Sequence, residues 1–185
     1  MDWQSRRARP QDAPAVLPWL AELTAGDAAQ AQAAWGAALG PAGGGEAWLA
    51  EGRVPGAPPG PLGFLALSPG SAPGFRVGSV EWLVVAPAAR GRGVGRGLLE
   101  LAGDRARALG WRQLHACTFH TNRPALHLYI AAGFFPAATL WEYAGPGLHY
   151  VELLRPVAPG PEPDQMPPAP HAHPDEEEPA RADHR

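Results

Sequence analysis

Residues 80–97 read Val80-Glu81-Trp82-Leu83-Val84-Val85, then Ala86-Pro87-Ala88-Ala89-Arg90-Gly91-Arg92-Gly93-Val94-Gly95-Arg96-Gly97. The first six are strand formers with one carboxylate among them. A period of two sends Val80, Trp82 and Val84 to one face and Glu81, Leu83 and Val85 to the other. Both faces are apolar except at Glu81, which reads as a buried central strand. Downstream, Val94, Leu98, Leu101, Ala102 and Leu109 share one helical stripe that Gly110 stops. The glycines therefore sit between a strand and a helix. Alternating glycines there let successive N–H groups converge and leave no side chain to block close approach. The open helix start adds partial positive charge, and Arg90, Arg92 and Arg96 add more, so Gly91 to Arg96 form a cradle for phosphate. It is not the dinucleotide fingerprint, whose third glycine would fall on Arg96.

Working outward, a polar opening (Arg6 to Asp12) leads into a helix from Pro14 to about Thr24 and a second from Asp27 to Leu39. The Gly43-Gly44-Gly45 loop precedes a strand, Ala47 to Glu51. After a turn-rich connection (Pro55 to Pro61), Leu62 to Leu67 and Arg76 to Ala86 read as strands split by a Ser68–Gly74 turn. Beyond the central helix come a strand from Arg112 to Phe119 and a helix capped by Thr121 or Asn122, with Pro124 in its first turn and Gly133 at its end. A closing hairpin pairs Phe134 to Tyr143 with Leu148 to Leu154.

Composition narrows the function classes. All 15 basic residues of the 185 are arginines, and without a lysine neither a P-loop nor a pyridoxal Schiff base can form. The single Cys117 excludes an internal disulfide and a multi-cysteine zinc finger. No apolar run approaches the ~18 residues of a membrane span. Met1 to Pro10 is charged where a signal peptide would be greasy, so a cytoplasmic protein with no membrane partner is expected. Residues 156–185 hold nine prolines and seven acids against two arginines, which reads as a disordered acidic tail on a domain of residues 1–155. The domain is then nearly neutral, with no electrostatic footprint for nucleic acid.

Arg90-x-x-Gly93-x-Gly95 between an apolar strand and a helix resembles the acetyl-CoA pyrophosphate loop of the GNAT superfamily of N-acetyltransferases. A second block, Asn122, Ala125, Tyr129 and Gly133-Phe134, is similar to that family's helix and following strand near the thioester. The resemblance implies an α/β (α+β) fold: a mixed, mostly antiparallel central sheet with splayed middle strands and flanking helices. It also implies acetyl-CoA as cosubstrate and acetyl transfer to a primary amine, on a small molecule or a peptide, in a ternary complex. On the same basis Leu83, Val84 and Val85 would offer backbone groups to the pantetheine and thioester. Gly91, Arg92, Gly93, Val94, Gly95 and Arg96, with Arg90, would hold the pyrophosphate. Asn122 would contact the cofactor arm and Tyr129 would be the general acid.

Acetyl transfer needs an unprotonated amine, a donor for the developing oxyanion and a proton for the departing thiolate. A tyrosine near pKa ~10 lies close to a thiol near ~8.5, although Tyr129 also fits as an ordinary helix aromatic. Certain protein N-terminal acetyltransferases of the family carry a glutamate where this chain has Cys117. Glu81, a lone carboxylate among apolar neighbours, is therefore the leading base, with desolvation expected to raise its pKa. His120 and a water chain are the alternatives. Cys117 is a small strand residue before it is an acyl-accepting nucleophile. Trp19, Trp35 and Trp48 either pack the core or line an acceptor pocket. His171, His173 and the Asp175–Glu178 run read as solvated linker, so no metal is expected. Competing functions are transfer of a longer acyl group, a CoA-binding regulatory module without turnover, and an RNA-binding Arg-Gly segment. A homodimer is left open.

Overall fold

The computed structural model describes residues 2–40, 45–70 and 76–157. Most of the Gly43–Gly45 loop, part of the Ser68–Gly74 turn and nearly all of the acidic tail lie outside the described residues. The elements are β1 (Trp3–Arg7), α1 (Ala13–Leu23), α2 (Ala28–Leu39), β2 (Glu46–Gly52), β3 (Gly60–Pro69) and β4 (Val77–Val85). They continue with α3 (Val94–Ala108), β5 (Gln113–Phe119), α4 (Arg123–Ala131), β6 (Phe135–Leu140) and β7 (Tyr150–Pro156). One sheet takes the order β1-β2-β3-β4-β5-β7-β6, antiparallel throughout except for β4 beside β5. The fold is thus the mixed α/β architecture expected.

Local chemistry explains most boundaries. Asp27 opens α2 by accepting a hydrogen bond from Gln30 N–H at 2.9 Å. Asn122 does the same for α4 through Ala125 N–H at 3.3 Å, which decides between it and Thr121. β1 was the element sequence reading missed, since two arginines in five residues hide any alternation. Arg6 is accommodated because its guanidinium bridges Asp12 at 2.8 Å and Glu51 at 3.0 Å. The Arg6 hydrogen bonds hold the buried Asp12 carboxyl below its ordinary range.

Two cores flank the sheet. On one face α1 and α2 bring Val16, Leu20 and Trp35 onto Leu49, Phe64 and Val84. On the other, α3 and α4 bring Leu98, Leu99, Ala102 and Tyr129 onto Leu65, Leu67, Val80 and Leu114. Trp35 is a core residue against Phe64, at 5.3 Å between ring centroids. Trp48 belongs to an ion cluster instead. Glu46, 5% exposed, accepts from Arg105 at 2.7 and 2.8 Å, from Arg7 at 3.0 Å and from the Trp48 indole at 3.1 Å. Burial alone would raise the Glu46 carboxyl, but these hydrogen bonds and the two cations outweigh it and hold it low. The cluster ties β2 to the end of α3.

Two irregularities in β4 matter for everything that follows. Ala66 lies opposite Trp82 and Leu67 opposite Val80, so Glu81 is an extra residue bulged out of the strand. The simple alternation expected from sequence is therefore broken at Glu81: Val80 packs with the α3 core, whereas Trp82 and Val84 pack with the α1–α2 core. The second irregularity is the brevity of the parallel pairing. β4 meets β5 only at Val77↔Gln113, Gly78↔Leu114 and Ser79↔His115, and beyond them the strands part.

The short pairing is backed by a tight contact. Trp111 lies flat against Gly78, where a Cβ would fall inside its ring. Gly78→Ala should destabilise the protein by about 1–3 kcal/mol, as overpacking does. Urea unfolding checks this, and an unchanged midpoint would show that Trp111 does not anchor the β4–β5 junction.

Candidate active site

The parting of β4 from β5 leaves a cleft whose walls carry most of the residues singled out above. Along Val80 to Val85, β4 is bonded to β3 on one side and, among the described residues, to no strand on the other. The N–H and C=O groups of Leu83, Val84 and Val85 that face the gap thus lack strand partners, apart from Val85 O, which accepts from Arg90 Nε at 3.1 Å. Unpaired backbone beside a cleft invites an extended, amide-bearing ligand.

At the end of β4, Pro87–Ala89 make a single 3-10 turn, and the glycines follow. Gly91 and Gly93 have φ of 71° and 83°, in the left-handed region that side chains disfavour, and an added Cβ at either would meet open space. Gly93 is the N-cap of α3 and provides no side-chain cap, which leaves the first N–H groups of that helix free of a capping partner. Gly95 is small for a different reason: a Cβ there would press on Leu128 at 3.0 Å, so glycine lets α3 and α4 approach. Val94 is buried and contributes backbone only. The arginines ring the loop on its exposed side. Arg90 also pairs with Glu22 at 3.1 Å, Arg92 donates to Ala88 O at 3.2 Å, and Arg96 pairs with Glu100 at 3.0 Å. An open cradle of N–H groups ringed by cations fits a pyrophosphate, and the strand gap beside it fits a pantetheine arm.

Across the cleft, Asn122 and Tyr129 stand seven residues apart on α4 and share a face. The Asn122 carbonyl is committed to the helix cap, leaving its NH2 to donate. Tyr129 is 6% exposed, with its ring edge-on to Phe134 at 5.1 Å. Among the described residues no hydrogen-bond partner to its hydroxyl is present, yet no fully buried polar side-chain atom is left unsatisfied. The hydroxyl is therefore the part of Tyr129 that reaches the cleft. Burial, with a smaller contribution from Cys117, pushes it well above the ordinary value of 10.0.

Glu81 differs from its sequence-based expectation. The bulge turns it out of both cores, so it is exposed rather than desolvated, and the Ser68 hydroxyl donates to it at 2.5 Å. Ser68, on β3, was not singled out, because only the shifted register brings it to Glu81. Cys117 is held above its ordinary thiol value by partial desolvation and by the negative charges of Glu81 and Glu152. A thiol kept protonated is a poor nucleophile, and His115, which lies 3.7 Å from Glu152, makes no hydrogen bond to it. His120 is drawn into a loop contact instead, its Nδ1 3.3 Å from the His149 N–H. Among the described residues there is no metal-binding cluster, and no helix is long and apolar enough to cross a membrane.

The raised Tyr129, Cys117 and Tyr150 groups share a sign: each favours the folded state below its unfolded pKa and loses that contribution as pH climbs toward the folded value. Thermal stability should hold to about pH 9 and fall beyond it. Tyr129→Phe should flatten the fall above pH ~10. An identical alkaline profile in melting curves would mean the hydroxyl is not desolvated.

The sequence profile described as the acetyltransferase (GNAT) family matches residues 18–134. No curated protein sequence matches the chain. Solved structures do. A GCN5-related N-acetyltransferase from Kribbella flavida is 29% identical with a TM-score of 0.68, covering 83% of this chain and 97% of its own. A protein assigned to the GNAT family from Desulfovibrio desulfuricans is 25% identical with a TM-score of 0.69, covering 85% and 100%. The yncA protein of Salmonella typhimurium, solved with acetyl-CoA, shares the fold at 21% identity and a TM-score of 0.69, covering 89% and 99%. The family profile covers more than half of the chain, and the chain belongs to the GNAT family of acetyltransferases, whose acyl donor is acetyl-CoA.

Proposed function

We propose that the protein transfers the acetyl group of acetyl-CoA to a primary amine by direct attack in a ternary complex. The observation that carries this reading is the β4–β5 gap, which opens past Ser79↔His115 and runs along β4 toward the glycine cradle at the start of α3. When bound there, acetyl-CoA supplies an activated carbonyl on a thiol leaving group. The loop N–H groups, with Arg90, Arg92 and Arg96, hold the pyrophosphate. The gap-facing backbone of Leu83, Val84 and Val85 holds the arm and donates to the carbonyl oxygen as charge develops on it. The Asn122 NH2 group contacts the arm at the head of α4.

Glu81 takes the proton that the amine must lose. Its exposure keeps the carboxylate in contact with solvent, through which the proton leaves, and Ser68 fixes its orientation. Tyr129 keeps its proton at working pH and meets the departing sulfur as a donor. Because a thiol near pKa ~8.5 is more acidic than a buried tyrosine, the hydrogen bond to the forming thiolate is its main contribution.

Three outcomes test this. Acetyl-CoA at about 100 times its Kd should stabilise the protein by ~2.7 kcal/mol in thermal unfolding, and no shift would remove the reading at its base. Tyr129→Phe should lower kcat about 10²-fold at unchanged acetyl-CoA affinity; an unaltered kcat takes Tyr129 out of the chemistry. Glu81→Gln should reduce kcat/KM for the amine about tenfold at unchanged acetyl-CoA affinity, so an unaltered kcat/KM assigns proton removal elsewhere.

A further inference from the structure

We infer that the acceptor is a cationic amine with a planar apolar body, its ammonium received between Glu81 and Glu152 and its body laid on Phe119, Tyr150 and Tyr143; this rests on the acetyltransferase reading above. Helices α1 and α2 pack over β2, β3 and β4 and leave the same face of β5 and β7 without a helix. On that face Cys117 lies opposite Glu152 and Phe119 opposite Tyr150, so these four side chains are neighbours. Phe119 and Tyr150 stack at 4.4 Å, and Tyr143 meets Tyr150 edge-on at 5.5 Å. Tyr143 is 71% exposed, so most of its ring faces solvent.

Charge selects the ligand. Cys117 on β5 lies opposite Glu152 on β7, and on its other side β4 carries Glu81 two residues past the last pair, Ser79↔His115, so the strand order sets the two carboxylates on either side of the thiol. Among the described residues every arginine ion pair lies elsewhere, on Asp12, Glu51, Glu46, Glu22, Glu100 or Asp104. Glu152 has His115 at 3.7 Å and Glu81 the Ser68 hydroxyl, but among the described residues neither carboxylate meets an arginine and the chain has no lysine, so a bound ammonium would supply the missing cation. The Tyr129 hydroxyl, the part of that buried side chain open to the cleft, feels the same thiol, so a nitrogen held here stands near the reacting end. Stacked and edge-on rings favour a flat body over a puckered one of equal size.

The test uses the full chain with 2-phenylethylamine, 2-cyclohexylethylamine, phenylalanine, a polyamine and a peptide as acceptors. 2-Phenylethylamine should show a kcat/KM about tenfold above both 2-cyclohexylethylamine and phenylalanine, which differ from it in planarity and in an added carboxylate. Glu152→Gln should raise the KM for 2-phenylethylamine about tenfold and leave that for acetyl-CoA unchanged. Tyr143→Ala should bring the aryl to cyclohexyl ratio close to one. Equal rates for the two amines, preference for phenylalanine, or better use of the polyamine or the peptide would overturn the assignment. If acetyl-CoA stabilises the protein but 2-phenylethylamine elicits no thiol release, the acceptor class falls and the transferase reading stands. If acetyl-CoA does not bind, that reading falls first. The acceptor site is then judged by thermal unfolding, where 2-phenylethylamine should stabilise the full chain and leave Glu152→Gln unshifted, and no shift of the full chain would overturn the assignment.

Discussion

Three residue pairs hold β4 to β5, and the strands separate after Ser79 and His115. Continued pairing would satisfy the backbone of both strands and close the sheet, and no internal surface would remain for a ligand. Separation leaves polar backbone along Val80 to Val85 facing a gap, an arrangement that is costly unless water or a ligand takes those groups. The rest of the molecule supports the junction where pairing stops. Trp111 seats on Gly78, α3 and α4 fill the face beneath, and the Glu46 cluster fastens the far end of α3 to β2. The bulge at Glu81 lies two residues past the last pair, so it both bends β4 away and delivers a carboxylate to the opening.

The two ends of the gap have opposite electrostatic character. At the start of α3, bare N–H groups and three arginines gather positive potential suited to a polyanion. On the open face of the sheet, Glu81 of β4 and Glu152 of β7 stand beside the half-buried Phe119 and Tyr150 and the exposed Tyr143. A ligand with phosphate at one end and a reactive group at the other is drawn in with one polarity, and an incoming cation meets it from the other side. Tyr129 lies between the two, its ring in the core and only its hydroxyl at the gap.

The fold and the glycine turn that opens α3 were largely legible in the sequence, because both rest on local signals. Glycines at Gly91 and Gly93 report a backbone conformation, Asn122 and Asp27 report helix starts, and apolar spacing reports the stripes of α3 and α4. What escaped depends on register and partnership. β1 is a strand because β2 pairs with it and because Asp12 and Glu51 take up Arg6, neither of which shows in Trp3–Arg7 alone. The bulge at Glu81 cannot be read from β4 by itself, so its face and its exposure were misjudged, and Ser68 went unnoticed with it. The acceptor face brings together residues from β4, β5, β7 and the segment before β7. Only the order β4-β5-β7-β6 makes them neighbours.

The central claim is that the β4–β5 gap is the binding slot, and hydrogen exchange of the backbone amides tests it most directly. Without ligand, the gap-facing amides among residues 80–85 should exchange faster than those bonded to β3. Saturating acetyl-CoA should slow them selectively, together with the amides of residues 91–96. Protection confined to the loop, or spread over the helices with the gap amides unchanged, would mean that the ligand does not enter between the strands.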